Sequence, residues 1–242
     1  MSEQGTVRPR NEDAWVARGD ILAVADGMGG YAGGDVAARL ALAALTDGSA
    51  PSPAGEAEVR SAFERAHRRI REASASHPEW SEMGTTLTAV WIRRGRAFIG
   101  HVGDSRAYLV RGERIEQITQ DHSVTAELVR NGTLTEEEAR THPHRHVLTR
   151  ALGGDGPVEV DVMSLALRPG DRLVLCTDGL TGSLESDEIG RVVRASATPR
   201  AAAEALVQRA CEHRSTDNVT VVIAFIEEND LDQEDPPGVD PT

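Results

Sequence analysis

The sequence predicts an α+β domain in which helices cover an antiparallel sheet core. Three observations lead there. Between residues 85 and 118, four strand-like runs, TTLTAVWIR, RAFIGHV, SRAYLVR and ERIEQI, are split by short polar turns. Consecutive strands with such short turns must be antiparallel, because a parallel return needs a crossover of about a dozen residues. Helical patterns flank the strand blocks in pairs, the arrangement of a layered α+β fold. No Pro/Gly/Ser linker divides residues 1–226, which therefore read as one domain.

Each element has its own local signal. ILAVA (21–25) is a short apolar run and reads as a buried strand, followed by a Gly-rich turn and an Ala-rich helix around 35–45. GSAPSPAGEAE (48–58) is a loop between helices, and an Arg- and Glu-rich helix covers roughly 56–75. Helices follow the β block near 123–131 and 135–141, with Thr135 and Glu138 in a capping-box pattern. VEVDVMSLA and DRLVLCT are strands. Helices come next near 186–195 and 199–213, the second opened by Pro199 after Thr198. NVTVVIAFI closes the domain as a strand. From Glu227 onward, EENDLDQEDPPGVDPT is acidic, Pro-containing and almost free of apolar residues, so 227–242 is expected to be a disordered tail.

Composition excludes several classes of function. The 26 basic residues against 39 acidic ones give a net charge of −13, a poor match for nucleic acid, whose phosphates need Lys and Arg. All the basic residues are Arg, which removes a Schiff-base or phosphate-loop lysine. The start MSEQGTVRPRNEDAW has no apolar leader and no stretch is long enough to span a bilayer, so the expected location is the cytoplasm, away from membranes. Cys176 and Cys211 make neither a disulfide framework nor a zinc spacing, and both read as buried core residues.

Four carboxylates sit at the ends of apolar strands: Asp26 in VADGMGG, Asp104 in GHVGDSRAY, Asp178 in LVLCTDGL and Asp217 in STDNVTVV. One Asp in such a place is ordinarily a turn residue. Four of them suggest convergence, because packed strands present their ends together. Converging like charges need a counter-charge, and hard divalent cations with oxygen ligands supply it. The run Gly27 to Ala32 also satisfies G-x-G-x-x-[GA], a dinucleotide fingerprint. Asp26 beside a pyrophosphate and the antiparallel block both count against that reading. RPRNEDAW adds Arg8, Glu12 and Asp13, where an Arg fork suits a phosphate; taken alone it is equally a solvated charged start.

Taken together, RPRNEDAW, VADGMGGYAGGDVA, MGTTLTAVWI, GHVGDSRAYLVR, QDHS, VLTRALGG, LVLCTDGLTGSL and STDNVTVVIA stand in the order seen in the protein phosphatase 2C family of metal-dependent Ser/Thr protein phosphatases. The chain resembles the bacterial branch over residues 5 to about 226. The resemblance implies a four-layer α-β-β-α sandwich with two antiparallel sheets. It implies hydrolysis of phosphoserine and phosphothreonine in proteins by a metal-activated water, with two or three Mn2+ or Mg2+ ions. On the matching positions, Asp26, the Gly27 carbonyl, Asp178 and Asp217 would hold two ions, and Asp104 with Asp178 a third. Glu12 and Asp13, with Asn218 beside Asp217, would support that set, and Arg8 would bind the substrate phosphate.

Residues 120–150 match a mobile flap at the substrate entrance. The implied partners are phosphorylated proteins, a Ser/Thr kinase and its substrates, met by a monomer. Two other functions compete. A catalytically weak phosphoprotein-binding module of the same fold would have lost its metal carboxylates, and they are present. A metal-dependent nuclease is disfavoured by the charge.

The resemblance has departures. Met28 and Tyr31 stand where some relatives carry His, leaving the leaving-group acid unassigned; His122 in QDHS is a candidate, with a structural hydrogen bond as the alternative. His142, His144 and His146 alternate as if to chelate, yet lie in the flap match. Relatives carry a full strand ahead of the point matching Ser2, so the sheet edge there is expected to be partly uncovered, with Arg8 near a frayed terminus.

Overall fold

The computed structural model describes residues 1–29, 33–48 and 52–231. Tyr31 and the tail beyond Leu231 lie outside these. The chain begins with β1 (Ser2–Glu3), β2 (Asp13–Arg18) and β3 (Ile21–Met28), then α1 (Gly34–Thr46) and α2 (Glu56–Ser76). β4 (Gly84–Thr85), β5 (Leu87–Arg93), β6 (Arg96–Val102), β7 (Arg106–Arg111) and β8 (Arg114–Gln117) follow. α3 (Val124–Arg130) and α4 (Glu136–Thr141) precede β9 (Asp161–Ala166), β10 (Arg172–Cys176) and α5 (Asp178–Thr181). α6 (Ser186–Ala195), α7 (Pro199–Glu212) and β11 (Val219–Phe225) complete the domain.

Two antiparallel sheets form, ordered β1-β11-β10-β7-β8 and β2-β3-β5-β6-β9, with β4 on β3. Helices cover both outer faces, so the four-layer sandwich is present. Each central strand therefore buries both sides. Along β3, Ile21, Ala23 and Ala25 pack under α1 and α2, while Leu22 and Val24 face the other sheet. Along β10, Val174 and Cys176 lie under α6 and α7, and Leu173 and Leu175 point between the sheets. This is why these strands read as continuous apolar runs without the polar alternation of a one-faced sheet.

Local capping matches the sequence signals. Thr135 and Glu138 form the reciprocal box, and Thr198 caps α7 ahead of Pro199. Three features depart from expectation. β5–β6 and β7–β8 are hairpins, but β6 and β7 do not pair; Gly103–Asp104–Ser105 carries the chain from one sheet to the other. Gly103 adopts φ +110° there, a region that favours glycine.

Cys211 is exposed, because α7 buries the stripe Ala202, Ala203, Leu206, Val207 and Ala210 and residue 211 falls off it. The ordered chain also runs past residue 226: Glu228–Asp230 form a 3-10 turn and Leu231 packs against the inter-sheet core. At the other terminus, Ser2 and Glu3 pair with Thr220 and Val219, and the terminal amine reaches the Val221 carbonyl at 2.8 Å. The edge of β11 is thus covered over that short span. Among the described residues no helix is long and apolar enough to cross a membrane.

Candidate active site

Register brings the acidic strand ends together. Asp13 opens β2 directly opposite Asp26 near the end of β3. β10 ends against the start of β11 and of β7, with Cys176 opposite Val221 and Arg106. Asp178, Asp217 and Asp104 therefore emerge at the same end of the sandwich as Asp26. Two glycines permit the backbones to meet. A Cβ on Gly27 would lie 2.1 Å from the Gly34 carbonyl oxygen, and one on Gly179 would lie 2.0 Å from that of Asn218.

The second contact joins the segments bearing Asp178 and Asp217. Gly179→Ala is accordingly expected to force them apart, at a cost of about 1–3 kcal/mol. Thermal unfolding would register this as a fall of several degrees in Tm; an unchanged Tm would show that the contact relaxes freely.

The electrostatics follow from the crowding. Burial raises the Asp26 carboxyl well above the usual range, and Asp13, Asp178, Asp104 and Asp217 add to it. Asp104 is raised by burial and then by Asp178 and Asp121. Burial lifts Asp13 to about 7, with Asp178 and Asp217 adding and hydroxyl bonds from Thr220 and Thr177 opposing. Glu12 is raised by burial and by Asp35. Two oxygens, Asp13 Oδ1 and Asp178 Oδ1, are buried with no hydrogen-bond partner. Clustered, buried carboxyls with orphaned oxygens fit hard divalent cations. Among the described residues no three His, Cys, Asp or Glu side chains close into a preformed chelating cluster, so the donors stand apart on separate strand ends.

Two side chains from other segments lean on these carboxylates. Arg8 donates to Asp217 Oδ2 at 2.6 Å, and this bond, with the fields of Asp217, Asp178 and Asp26, raises its pKa. His146 lies 3.4 Å from Asp178. Both line a cleft of ≈350 Å3 with Val7, Arg145, Asp178 and Asp217. Arg8, the residue expected to meet a phosphate, is held in reach of the same carboxylate end. A larger cavity of ≈410 Å3 opens between β8 and β9, but Glu116 is its only carboxylate-bearing wall and none of the four strand-end Asp residues line it.

The supporting residues have definite tasks. Asn218 accepts from the Glu12 N–H at 2.9 Å and donates to the Gln4 and Arg10 carbonyls, which pins the N-terminal segment to β11. Thr177 Oγ1 donates to Asp13 Oδ2 at 2.8 Å, and the Asp26 N–H donates to Thr86 Oγ1 at 3.0 Å. Neither Thr177 nor Thr86 was singled out by the sequence, where a threonine at a strand end resembles any other β-former. His122 is buried at 3% exposure with both ring nitrogens engaged by Gly103 and Asp161, so it takes the structural alternative rather than that of a proton donor. His142 and His144 contact each other edge to face at 5.4 Å, and His146 turns instead to Asp178.

An antiparallel sandwich whose sheet ends converge on five aspartates defines the class. The chain belongs to the protein phosphatase 2C family, whose model matches residues 7–217. It is 39% identical to the serine/threonine protein phosphatase PstP of Mycobacterium tuberculosis over 97% of this chain. It spans only 46% of that protein's length. It is also 35% identical to the serine/threonine phosphatase stp of Listeria monocytogenes, covering 96% of this chain and 95% of that one. The crystal structure of M. tuberculosis PstP/Ppp superposes with a TM-score of 0.89 at 38% identity, over 94% of this chain and 97% of that one. The PstP catalytic domain in complex with two manganese ions gives 0.86 at 36% identity, over 94% and 96%.

Proposed function

We propose that this chain is a Mn2+- or Mg2+-dependent phosphatase that hydrolyses phosphoserine and phosphothreonine in proteins. In this reading it acts as a monomer in the cytoplasm and opposes a Ser/Thr kinase. The observation that carries the reading is the convergence of Asp13, Asp26, Asp104, Asp178 and Asp217, with orphaned carboxylate oxygens, at one end of a family fold. Asp26, the Gly27 carbonyl, Asp178 and Asp217 would hold two ions and Asp104 a third. Divalent ions bound there supply an acidified water and positive charge for the phosphoryl oxygens.

The protein's own groups do the rest. Arg8, 52% exposed and reaching Asp217 from the cleft wall, presents a fork that matches two phosphate oxygens. Asn218 holds its segment in place, and Thr177 fixes the direction of Asp13. Glu12, beside Gly34, sets the rim on which the first helix begins. The open cleft between Val7, Arg145 and His146 admits a phosphorylated side chain on a protein surface.

The test is turnover of p-nitrophenyl phosphate and a phosphothreonine peptide by the purified chain. Activity is expected to vanish in EDTA and to return with Mn2+. A preparation that is folded, binds Mn2+ and still turns over neither substrate would sink the reading.

A further inference from the structure

Two buried imidazoles lie behind the carboxylate cluster. His101 is fully buried and His122 nearly so, with ring centroids 4.8 Å apart. The Gly103 N–H donates to His122 Nδ1 at 3.1 Å, which leaves the neutral ring's proton on Nε2, facing Asp161 Oδ2 at 3.1 Å. Arg150 grips the other oxygen of Asp161 at 2.8 Å. His101 Nε2 faces the Gln120 carbonyl at 3.0 Å, an acceptor only, so that nitrogen carries the proton and Nδ1 faces the Thr88 hydroxyl at 2.9 Å. The hydroxyl's single proton is shared between Nδ1 and the Ser105 carbonyl, also at 2.9 Å. Ser105 Oγ continues at 2.8 Å to Thr86, which receives the Asp26 N–H.

The connectivity has a simple form. Gly103 and Ser105 flank Asp104, and each is tied to one imidazole, Ser105 through Thr88. His101 Nε2 meets the Gln120 carbonyl at one end of the 120–150 segment. His122, itself in that segment, reaches its other end through Asp161 to Arg150. The segment carries Arg145 and His146 to the cleft. We infer that His101 and His122 are positioning residues, a joint that sets the Asp104 turn and the cleft-covering segment in one fixed relation. The inference rests on the phosphatase reading and on the proposed role of Asp104. Neither ring touches the cleft; they act through the turn and through the segment.

Conservative variants separate the two arms. The amide oxygen of His122→Asn can replace Nδ1 toward Gly103 but cannot reach Asp161. The longer amide of His122→Gln can replace Nε2 toward Asp161 but not Nδ1. His122→Asn is expected to raise KM for a phosphothreonine peptide about threefold to tenfold, with calorimetric Mn2+ affinity within about twofold of wild type. His122→Gln is expected to show the reverse, with Mn2+ affinity weakened about threefold to tenfold. Thr88→Val, which keeps the branched shape and removes the link to Ser105, should behave like His122→Gln.

Variants that lower Tm while leaving KM and Mn2+ affinity at wild-type values would overturn the inference, as would KM and Mn2+ affinity moving together in all three. Should the His122 variants fail to fold, Thr88→Val decides: wild-type Mn2+ affinity overturns the joint. A wild-type chain that binds Mn2+ without turning over phosphopeptide would sink the phosphatase reading, and the Mn2+ titrations would still decide this one.

Discussion

Asp26→Asn is expected to lower turnover of a phosphothreonine peptide by about 10^3-fold or more, and at the same time to raise the Tm of the metal-free protein. The two effects have one cause. Asp26 stands at the centre of the cluster, raised by burial and by four neighbouring carboxyls. Ionising it in the folded chain costs free energy that an unfolded chain does not spend. An amide has the same shape, keeps the backbone bond to Thr86 and removes the charge. A gain of about 1–2 kcal/mol corresponds to roughly 2–8 °C for a domain of this size. Active-site groups that a fold holds at its own expense commonly show this opposition of stability and activity.

Asp171 provides the contrast within the same protein. It is almost fully buried, but Arg111 grips both of its oxygens at 2.8 and 2.6 Å. Removing that charge breaks the two-pronged bond from Arg111 and weakens the acceptor for the Arg168 N–H, so Asp171→Asn should lower Tm. Calorimetry in EDTA, with steady-state kinetics in Mn2+, checks both. Wild-type turnover in Asp26→Asn would remove Asp26 from the site. A lowered Tm in EDTA would mean that its charge is already balanced in the folded chain.

What could be read from the sequence was whatever depends on near neighbours. The Thr135–Glu138 box, Pro199 after Thr198 and the β5–β6 and β7–β8 hairpins are decided within a few residues, and each is present. The strand-end aspartates were visible because each stands beside an apolar run, and register then placed them together. What could not be read depends on partners far along the chain. Whether β7 pairs with β6 or crosses to the other sheet is decided by β10, over sixty residues later, since Arg106 lies opposite Cys176. The partners of His122 are 19 and 39 residues away, so QDHS alone cannot separate a buried joint from a proton donor. The Arg8–Asp217 bond spans 209 residues and joins the two chain ends through the pairing of β1 with β11. The family resemblance supplied roles for these residues that spacing could not.

In EDTA, Tm should fall as pH rises from 6.5 to 8, and Mn2+ should raise Tm more at pH 8 than at pH 6.5. An acid whose folded pKa is raised holds its proton more tightly in the folded state. Stability is then lost as pH rises from the unfolded value near ~3.9 through the folded one, because the folded state binds more protons across that window. For Asp13 the window reaches about 7, and burial with like charges extends it upward for Asp26 and Asp104.

Below pH ~6.5 the buried histidines work in the opposite direction. Burial holds His101 near 4 and also lowers His122, so an unfolded chain gains protons there that the folded one refuses. Unfolded histidine is about half neutral at pH ~6.5 and almost wholly neutral by pH ~8, so across that range its fading contribution is outweighed by the carboxyl slope. A divalent cation must displace the protons that these carboxyls retain, so its affinity weakens as pH falls. At a free concentration of 100 times Kd it stabilises by about 2.7 kcal/mol, or roughly 5–11 °C here. Scanning calorimetry across this pH range, in EDTA and in Mn2+, separates the two effects. A Tm in EDTA that rises between pH 6.5 and 8, or a Mn2+ shift equal at both ends, would mean that the cluster carries no uncompensated charge for a cation to answer.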